Sequence, residues 1–309
     1  MTILPHFASS ERPIVNAMSV DVEDYFQVSA CDGVVRRASW GEFESRVSAN
    51  TERLLELFSD SGVRATFFVL GWVGERFPNL IKQIAACRHE IASHGYAHRL
   101  VYDLFPDEFR DDVRRAKAVL EDIAGVSVRG YRAPSYSITK QSLWALDVLI
   151  EEGYSYDASI FPIHHDRYGI PDSPRHVHVM DRRAGSIAEV PASTVRYGGV
   201  NFPIAGGGYF RLLPYWWTRA GIRHVNQVER RPAIFYLHPW EVDPEQPRIA
   251  AGLVSRLRHY RNLHRTEERL RSLLRDFRFS TVANVAQSAC LQVEDAATEH
   301  AAVRAVVSA

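Results

Sequence analysis

The sequence predicts an α/β fold in which parallel strands are wrapped by helices. Three observations carry this. Short apolar runs rich in Val, Ile, Phe and Tyr alternate with segments whose apolar residues recur every three to four positions. The connections between them are mostly short, as repeated βα units require. Polar residues recur where the apolar runs end: Asp21, Glu23 and Asp24, then His94 and His98, Arg132, Asp157 and His238. In a parallel barrel the strand C-termini open onto one face, and that face carries the chemistry.

The first strand lies in MSVDVEDYF, residues 18–26. Met18, Val20 and Val22 alternate with Ser19, Asp21 and Glu23, a period of two that places the carboxylates on one face. Asp24 follows at once. Clustered carboxylates raise each other's pKa unless a metal ion or an arginine sits among them. Residues 27–40 read as a loop over this site, with Trp40 packed on the core. Residues 43–58 read as a helix with Val47, Leu54, Leu55 and Phe58 on one face, ended by Gly62. RATFFVL (64–70) is a buried strand. Pro78 opens a helix, and HEIAS is a strand running into His94. Residues 106–124 form a helix closed by Gly125, and 128–133 a strand stopped by Pro134. Thr139 caps a helix that reaches Glu152 and ends at Gly153. Residues 154–160 are a strand.

Residues 161–185 break the rhythm and read as a long loop of the kind that shapes binding sites. Beyond it come a short strand (187–191), a stretch rich in glycine and aromatics (197–211), a helix (214–228) and a strand ending at His238. A basic helix covers 256–276, and FRFSTVANV gives the last strand. Residues 1–13 read as a leader, 14–283 as the folded unit with a C-terminal extension from about 190, and 284–309 as an Ala-rich tail or frayed helix.

Length and charge narrow the function classes. The 309 residues suit one large domain, and 37 basic against 37 acidic residues leave no charge excess pointing to nucleic acid. Cys31, Cys87 and Cys290 are far apart and odd in number, which points to a reducing compartment rather than a disulfide framework. The N-terminus lacks the pattern of a signal peptide, and no apolar run approaches the ~20 residues of a membrane helix. The expectation is a soluble cytoplasmic protein.

Four of the strand-end residues have a chemical reading of their own. His94 and His98, spaced by four, would share a face of a helical turn. With a carboxylate from the first strand they make a two-His, one-carboxylate metal site. Zinc, cobalt, nickel or iron would suit such donors. Arg132 either pairs with surface acids or keeps one of the three carboxylates ionised for use as a base. His238 reads either as a satisfied core histidine or as a general acid.

These motifs resemble the polysaccharide deacetylase family, carbohydrate esterase family 4, also called the NodB homology domain. The order matches: SVDVEDY, HGYAH, RAPSY, YDASI and the Leu-His pair 237–238. The likeness spans residues 15–285 and looks most like the branch found in exopolysaccharide and exosortase loci. It implies a distorted (β/α) barrel, often seven-stranded, and a divalent metal, zinc first. On this resemblance Asp21 is the general base, His238 the general acid, and Arg132 orients Asp21. His94 and His98 are metal ligands, with Glu23 or Asp24 as the third. The backbone N–H near Tyr136 would hold the oxyanion. Asp157 and Tyr209 are expected on the substrate side, and Tyr197, Phe210, Trp216 and Trp217 are further candidates for stacking on sugar rings. Gly95 stands where relatives carry Ser or Thr, which would loosen the site. The implied reaction is N-deacetylation of an N-acetylated glycan or lipid-linked precursor in exopolysaccharide biosynthesis. The alternatives are a sugar deformylase, an allantoinase-like hydrolase, a non-catalytic glycan binder, or a partner in polysaccharide assembly acting through the basic helix.

Overall fold

The computed structural model describes residues 13–289. The rest of the expected leader, the tail from 290 and Cys290 lie outside the described residues. Eleven strands are β1 (Val15–Val22), β2 (Thr66–Val69), β3 (Glu90–Ser93), β4 (Gly130–Tyr131), β5 (Tyr156–Asp157), β6 (His178–Arg182), β7 (Gly185–Glu189), β8 (Thr194–Tyr197), β9 (Val200–Pro203), β10 (Ile234–Leu237) and β11 (Arg278–Ser280). The helices are α1 (Val47–Asp60), α2 (Gly71–Arg76), α3 (Pro78–Ala86), α4 (Pro106–Ala124), α5 (Trp144–Glu151), α6 (Gly207–Leu212), α7 (Tyr215–Gln227), α8 (Leu253–Tyr260) and α9 (Leu263–Asp276).

The main sheet runs β10-β1-β2-β3-β4-β5-β7-β6, parallel except for β6, and β11 pairs in parallel with the start of β1. β1 and β2 are buried almost end to end, as strands covered on both faces must be. Among the described residues no ladder closes this sheet into the expected barrel. Ser193, just past β7, bonds across to β10 instead. Its N–H donates to Ile234 O (3.3 Å), and its Oγ accepts from Ile234 N (2.7 Å).

The helices follow local signals. α4 starts with Pro106, and the Glu108 carboxylate accepts from Phe105 N (2.9 Å). It ends at Gly125 with φ 66°, the left-handed stop that glycine allows. Phe109, Val113, Ala116 and Leu120 form its buried stripe.

Four readings change. The long loop contains β6, whose alternation is only half-buried and therefore weak in sequence. The glycine and aromatic stretch holds the β8–β9 hairpin, turned by Gly198 and Gly199 at positive φ. The basic helix is two helices, because Asn262 at φ 57° breaks it. The first residues of the expected tail, and the end of the expected last strand, belong to a helix. Residues 282–289 are helical, and Val285 and Ala286 pack with Ala17, Phe68 and Ala92. Cys31 and Cys87 are free thiols. No helix among the described residues is long and apolar enough to cross a membrane.

Gly206 fixes where α6 meets β10. It sits at φ 90°, and a Cβ there would lie 1.8 Å from Tyr236 O. Gly206→Ala should therefore destabilise the fold by about 2 kcal/mol or more, read as a lower urea midpoint. An unchanged midpoint would mean that this backbone contact is not a constraint.

Candidate active site

The C-terminal ends of the parallel strands surround a cleft of about 230 Å³. Asp21, Glu23, His94, His98, Tyr136 and His238 all line it. A larger hollow of about 900 Å³ lies at the opposite end of β1, beside Val15 and Phe279, and holds none of these groups.

β1 delivers two carboxylates and diverts a third. Glu23 N–H donates back to Asp21 O (3.1 Å), so the chain turns sharply as the strand ends. Asp21 and Glu23 face the cleft. Asp24 faces away, and this corrects its place among the expected ligands. Its Oδ2 accepts from Ser45 Oγ (2.6 Å), Arg46 N (2.9 Å) and Val47 N (3.2 Å), and its Oδ1 from Tyr25 N (3.0 Å). It satisfies the free N–H groups at the start of α1 and complements that helix's positive end.

Asp21 is held by Arg132, which follows β4 and is 1% exposed. Arg132 Nη1 donates to Asp21 Oδ1 (2.6 Å) and Ser19 Oγ (2.8 Å), and Nε donates to Ala158 O (3.2 Å). Its guanidinium carbon lies 4.1 Å from the centroid of the Phe68 ring. Burial works against the charge, but its neighbours together, Asp21 foremost, outweigh burial and raise the Arg132 pKa.

Glu23, His94 and His98 form the one cluster among the described residues able to hold an ion. A ligating atom from each lies within 4.8 Å of the others. His94 Nδ1–H donates to Arg132 O (2.8 Å), which leaves the Nε2 lone pair for the cleft. Burial pulls its pKa to about 4, so the ring is neutral, as a ligand must be. Burial pushes Glu23 up, yet His98, His238 and His94 outweigh it and hold Glu23 at about 2. His98 Nε2 lies 2.8 Å from Glu23 Oε2, but the two are not aligned as a hydrogen bond, and Glu23 Oε2 is buried without a hydrogen-bond partner. Donor atoms crowded together and aimed at shared space are what a divalent ion requires. These residues fit such an ion.

The two histidines do not share a helix, contrary to the reading from their spacing. A loop brings them together, with positive φ at Gly95 (73°) and His98 (49°). A Cβ on Gly95 would sit 2.7 Å from Asp112 Oδ2, which accepts from Tyr96 N (2.8 Å). Gly95 therefore tightens the site by letting α4 grip the loop.

His238 has a relay of its own. Its Nδ1 lies 2.7 Å from Glu241 Oε1, and Glu241 Oε2 accepts from Arg211 Nε (2.5 Å). Nε2 faces Glu23 Oε1 (3.6 Å) and Asp21 Oδ2 (3.9 Å). Burial alone would lower the His238 pKa, but Glu241 and then Glu23 raise it to about 9. Trp240 stacks on the imidazole, with ring centroids 5.0 Å apart. Glu241 and Arg211 were not expected from sequence. The signal was there: Glu241 follows His238 at the capping-box spacing, and its Oε1 accepts His238 N (3.0 Å).

Three further expectations change. Asp157 is fully buried and takes Ser159 Oγ (2.5 Å) instead of lining the cleft. The Tyr136 N–H donates to Ala133 O (3.1 Å), so it is committed within its own turn rather than to an oxyanion. Tyr136 itself adopts φ 54°, and its ring forms cleft wall. None of the five aromatic residues expected to stack on sugar lines the cleft. Tyr209 packs edge-on to Phe161, Phe210 is buried, and Trp217 donates to Pro203 O. Tyr197 and Trp216 are exposed elsewhere. Tyr168, Tyr236 and Trp240 take their place, and the long loop does contribute through His165, Arg167 and Tyr168.

The split between Glu23 and Asp24 is testable. Asp24→Ala should cost about 1–2 kcal/mol of stability, typical of a lost cap, and leave metal content intact. Glu23→Ala should lose metal by elemental analysis. The reverse pattern would return Asp24 to the ligand set.

A family model described as polysaccharide deacetylase matches residues 37–153. A second, described as a domain of unknown function (DUF3473), matches 158–287. The chain is 30% identical over 119 residues to a peptidoglycan-N-acetylglucosamine deacetylase of Bacillus cereus, covering 35% of this chain and 43% of that protein. It is 31% identical over 100 residues to a chitooligosaccharide deacetylase of a Bradyrhizobium species, covering 32% and 43%. The chain thus spans less than half the length of these curated relatives. The crystal structure of a candidate polysaccharide deacetylase from Mycobacterium smegmatis superposes with a TM-score of 0.59 at 20% identity, covering 91% of this chain and 94% of that one, and shares the fold. His94, His98 and Arg132 fall within the first match and His238 and Glu241 within the second, so the chain carries a polysaccharide deacetylase domain over residues 37–153, followed by the domain of unknown function over 158–287.

Proposed function

We propose that this protein is a metal-dependent N-deacetylase that releases acetate from N-acetylated amino sugars. One observation carries the reading. An arginine-held carboxylate and a carboxylate-held histidine approach the same three-donor cluster from two sides of one cleft. The matched relatives, named for deacetylation of N-acetylglucosamine-containing glycans, support it. The likeness of DVEDYF, HGYAHRL and FYLHPWE to the exopolysaccharide branch supports a role in exopolysaccharide biosynthesis.

Glu23, His94 and His98 would hold the ion, which when bound supplies Lewis-acid polarisation and lowers the pKa of water from 15.7 toward about 7. Asp21 has one oxygen committed to Arg132 and the other facing the cleft, so Oδ2 is placed to take the proton of the attacking water. His238, protonated and anchored at Nδ1 by Glu241, delivers a proton from Nε2 to the leaving nitrogen. Water adds to the acetamide carbon, the C–N bond breaks, and acetate and a free amine leave. Base and acid are separated by environment: an arginine pairs with the carboxylate, and a glutamate holds the imidazole charged.

The direct test is acetate release from N-acetylglucosamine oligomers before and after chelation, with zinc or cobalt restored. Asp21→Asn should lower turnover by about 10²–10⁴-fold while keeping metal. Formate from formylated substrates with no acetate would move the reading to a deformylase, and unchanged turnover in Asp21→Asn would remove Asp21 as the base.

The relay predicts a pH signature. The raised His238 pKa means that its acid form persists below about 9 and is lost as pH rises through that value. Its contribution to stability is likewise fully present below the unfolded pKa of about 6.5 and gone above about 9. Glu241→Gln keeps a hydrogen-bonding partner but removes the charge, so the His238 imidazole should titrate at lower pH by NMR of the chelated protein. The alkaline limb of turnover should move the same way. An unmoved titration would place the source of the shift elsewhere.

A further inference from the structure

Three guanidinium groups line the cleft, and only one is used by the fold. Arg211 is consumed by Glu241 and by the carbonyls of Arg258 and His259. Arg167, on the loop after β5, and Arg258, on α8, also line the cleft and are exposed. Among the described residues neither side chain makes a hydrogen bond or an ion pair. Asp166, the acid next to Arg167, is taken by His165 Nδ1 at 2.9 Å. Asp32 feels the field of Arg167 without pairing to it. Both arginines act on the His165 ring, which stacks on Tyr168 at 3.8 Å, so both flank one part of the mouth.

The surroundings leave both charges open to an anion from outside the protein. The segment from 246 to 266 contains five arginines and no acidic residue, in a chain with no net charge. Deeper in the cleft, Asp21 is already neutralised by Arg132 and Glu23 by its histidines. Neither guanidinium is paired with a carboxylate among the described residues. A neutral sugar polymer would leave both without a counter-charge. A phosphate or carboxylate on the substrate would receive charge-assisted, bidentate hydrogen bonds from them.

We propose that Arg167 and Arg258 form an anion subsite at the mouth of the cleft, and that the N-acetylated sugar taken here carries a phosphate or carboxylate on the same or the adjoining residue. This rests on the deacetylase reading above for the sugar, but its test is a binding measurement. The Asp21→Asn variant, expected to turn substrate over at least about 100-fold more slowly, is titrated calorimetrically with three probes. They are N-acetylglucosamine 1-phosphate, a tetrasaccharide alternating N-acetylglucosamine with glucuronate, and the neutral N-acetylglucosamine trisaccharide.

At least one anionic probe should bind about tenfold or more tightly than the neutral one, and its advantage should shrink as salt is raised. Arg167→Gln with Arg258→Gln should erase that advantage and leave neutral binding and thermal stability unchanged. Arg223→Gln, at the opposite end of β1, should change nothing. Phosphate preferred over uronate identifies a glycosyl phosphate source, and the reverse identifies an acidic polymer. Equal binding of neutral and anionic probes overturns the proposal, as does no anionic binding, or an anionic preference that survives the double substitution. Acetate release by the unmodified protein is scored separately. Acetate without anionic preference would sink the subsite and leave the deacetylase reading standing. Anionic binding without acetate would do the opposite.

Discussion

The buried Arg132 guanidinium is the constraint on which the site depends. It is 1% exposed and still charged. Such a charge stays buried only when paired and hydrogen-bonded, and removing one partner typically costs about 3–5 kcal/mol. Its partners come from across the sheet: Asp21 and Ser19 on β1, Ala158 after β5, and the Phe68 ring on β2. Its carbonyl takes His94, which follows β3. One residue therefore fixes the proposed base and one proposed ligand together, and ties the positions of four strands to both. Moving Arg132 would disturb ionisation, tautomer and geometry at once.

The half of the chain beyond 157 is not an appendage to this arrangement. β10 leads into His238, the turn that follows carries Glu241 and Trp240, and α6 carries Arg211. Gly206 lets α6 approach the β10 backbone closely enough for Arg211 to reach Glu241. Burial pushes Glu241 up, but Arg211 and His238 outweigh it and hold the carboxyl at about 2, so it remains an anion beside the imidazole. The first half thus supplies an arginine-held carboxylate, and the second a carboxylate-held imidazole, to one cleft.

The fold was legible because its signals are periodic, and the site because polar residues at strand ends are few. What failed to read is governed by single hydrogen bonds and by facing. Nothing in DVED says that Glu23 N–H will bond back to Asp21 O and throw Asp24 toward α1. A spacing of four fits a helix or a loop, and the choice here rests on Gly95 and on Asp112, eighteen residues from His94 in sequence. Glu241 was readable by its spacing from His238, but Arg211 is joined to it only by tertiary packing.

Asp157 shows why a strand-end acid need not touch substrate. It and Glu189, on the neighbouring strand β7, are both fully buried. Burial, and then each other's presence, push Glu189 well above the usual carboxyl range, and burial raises Asp157 as well. Two like charges at paired positions of adjacent strands cannot both persist in a dry interior, so the pair retains a proton. That proton matters to the cleft. Arg132 lies within the field of Glu189, and an ionised carboxylate there would compete with Asp21 for the one guanidinium. By holding its proton, Glu189 leaves the charge of Arg132 to Asp21. The expected substrate contact is thereby replaced by an electrostatic one that reaches Asp21 through Arg132.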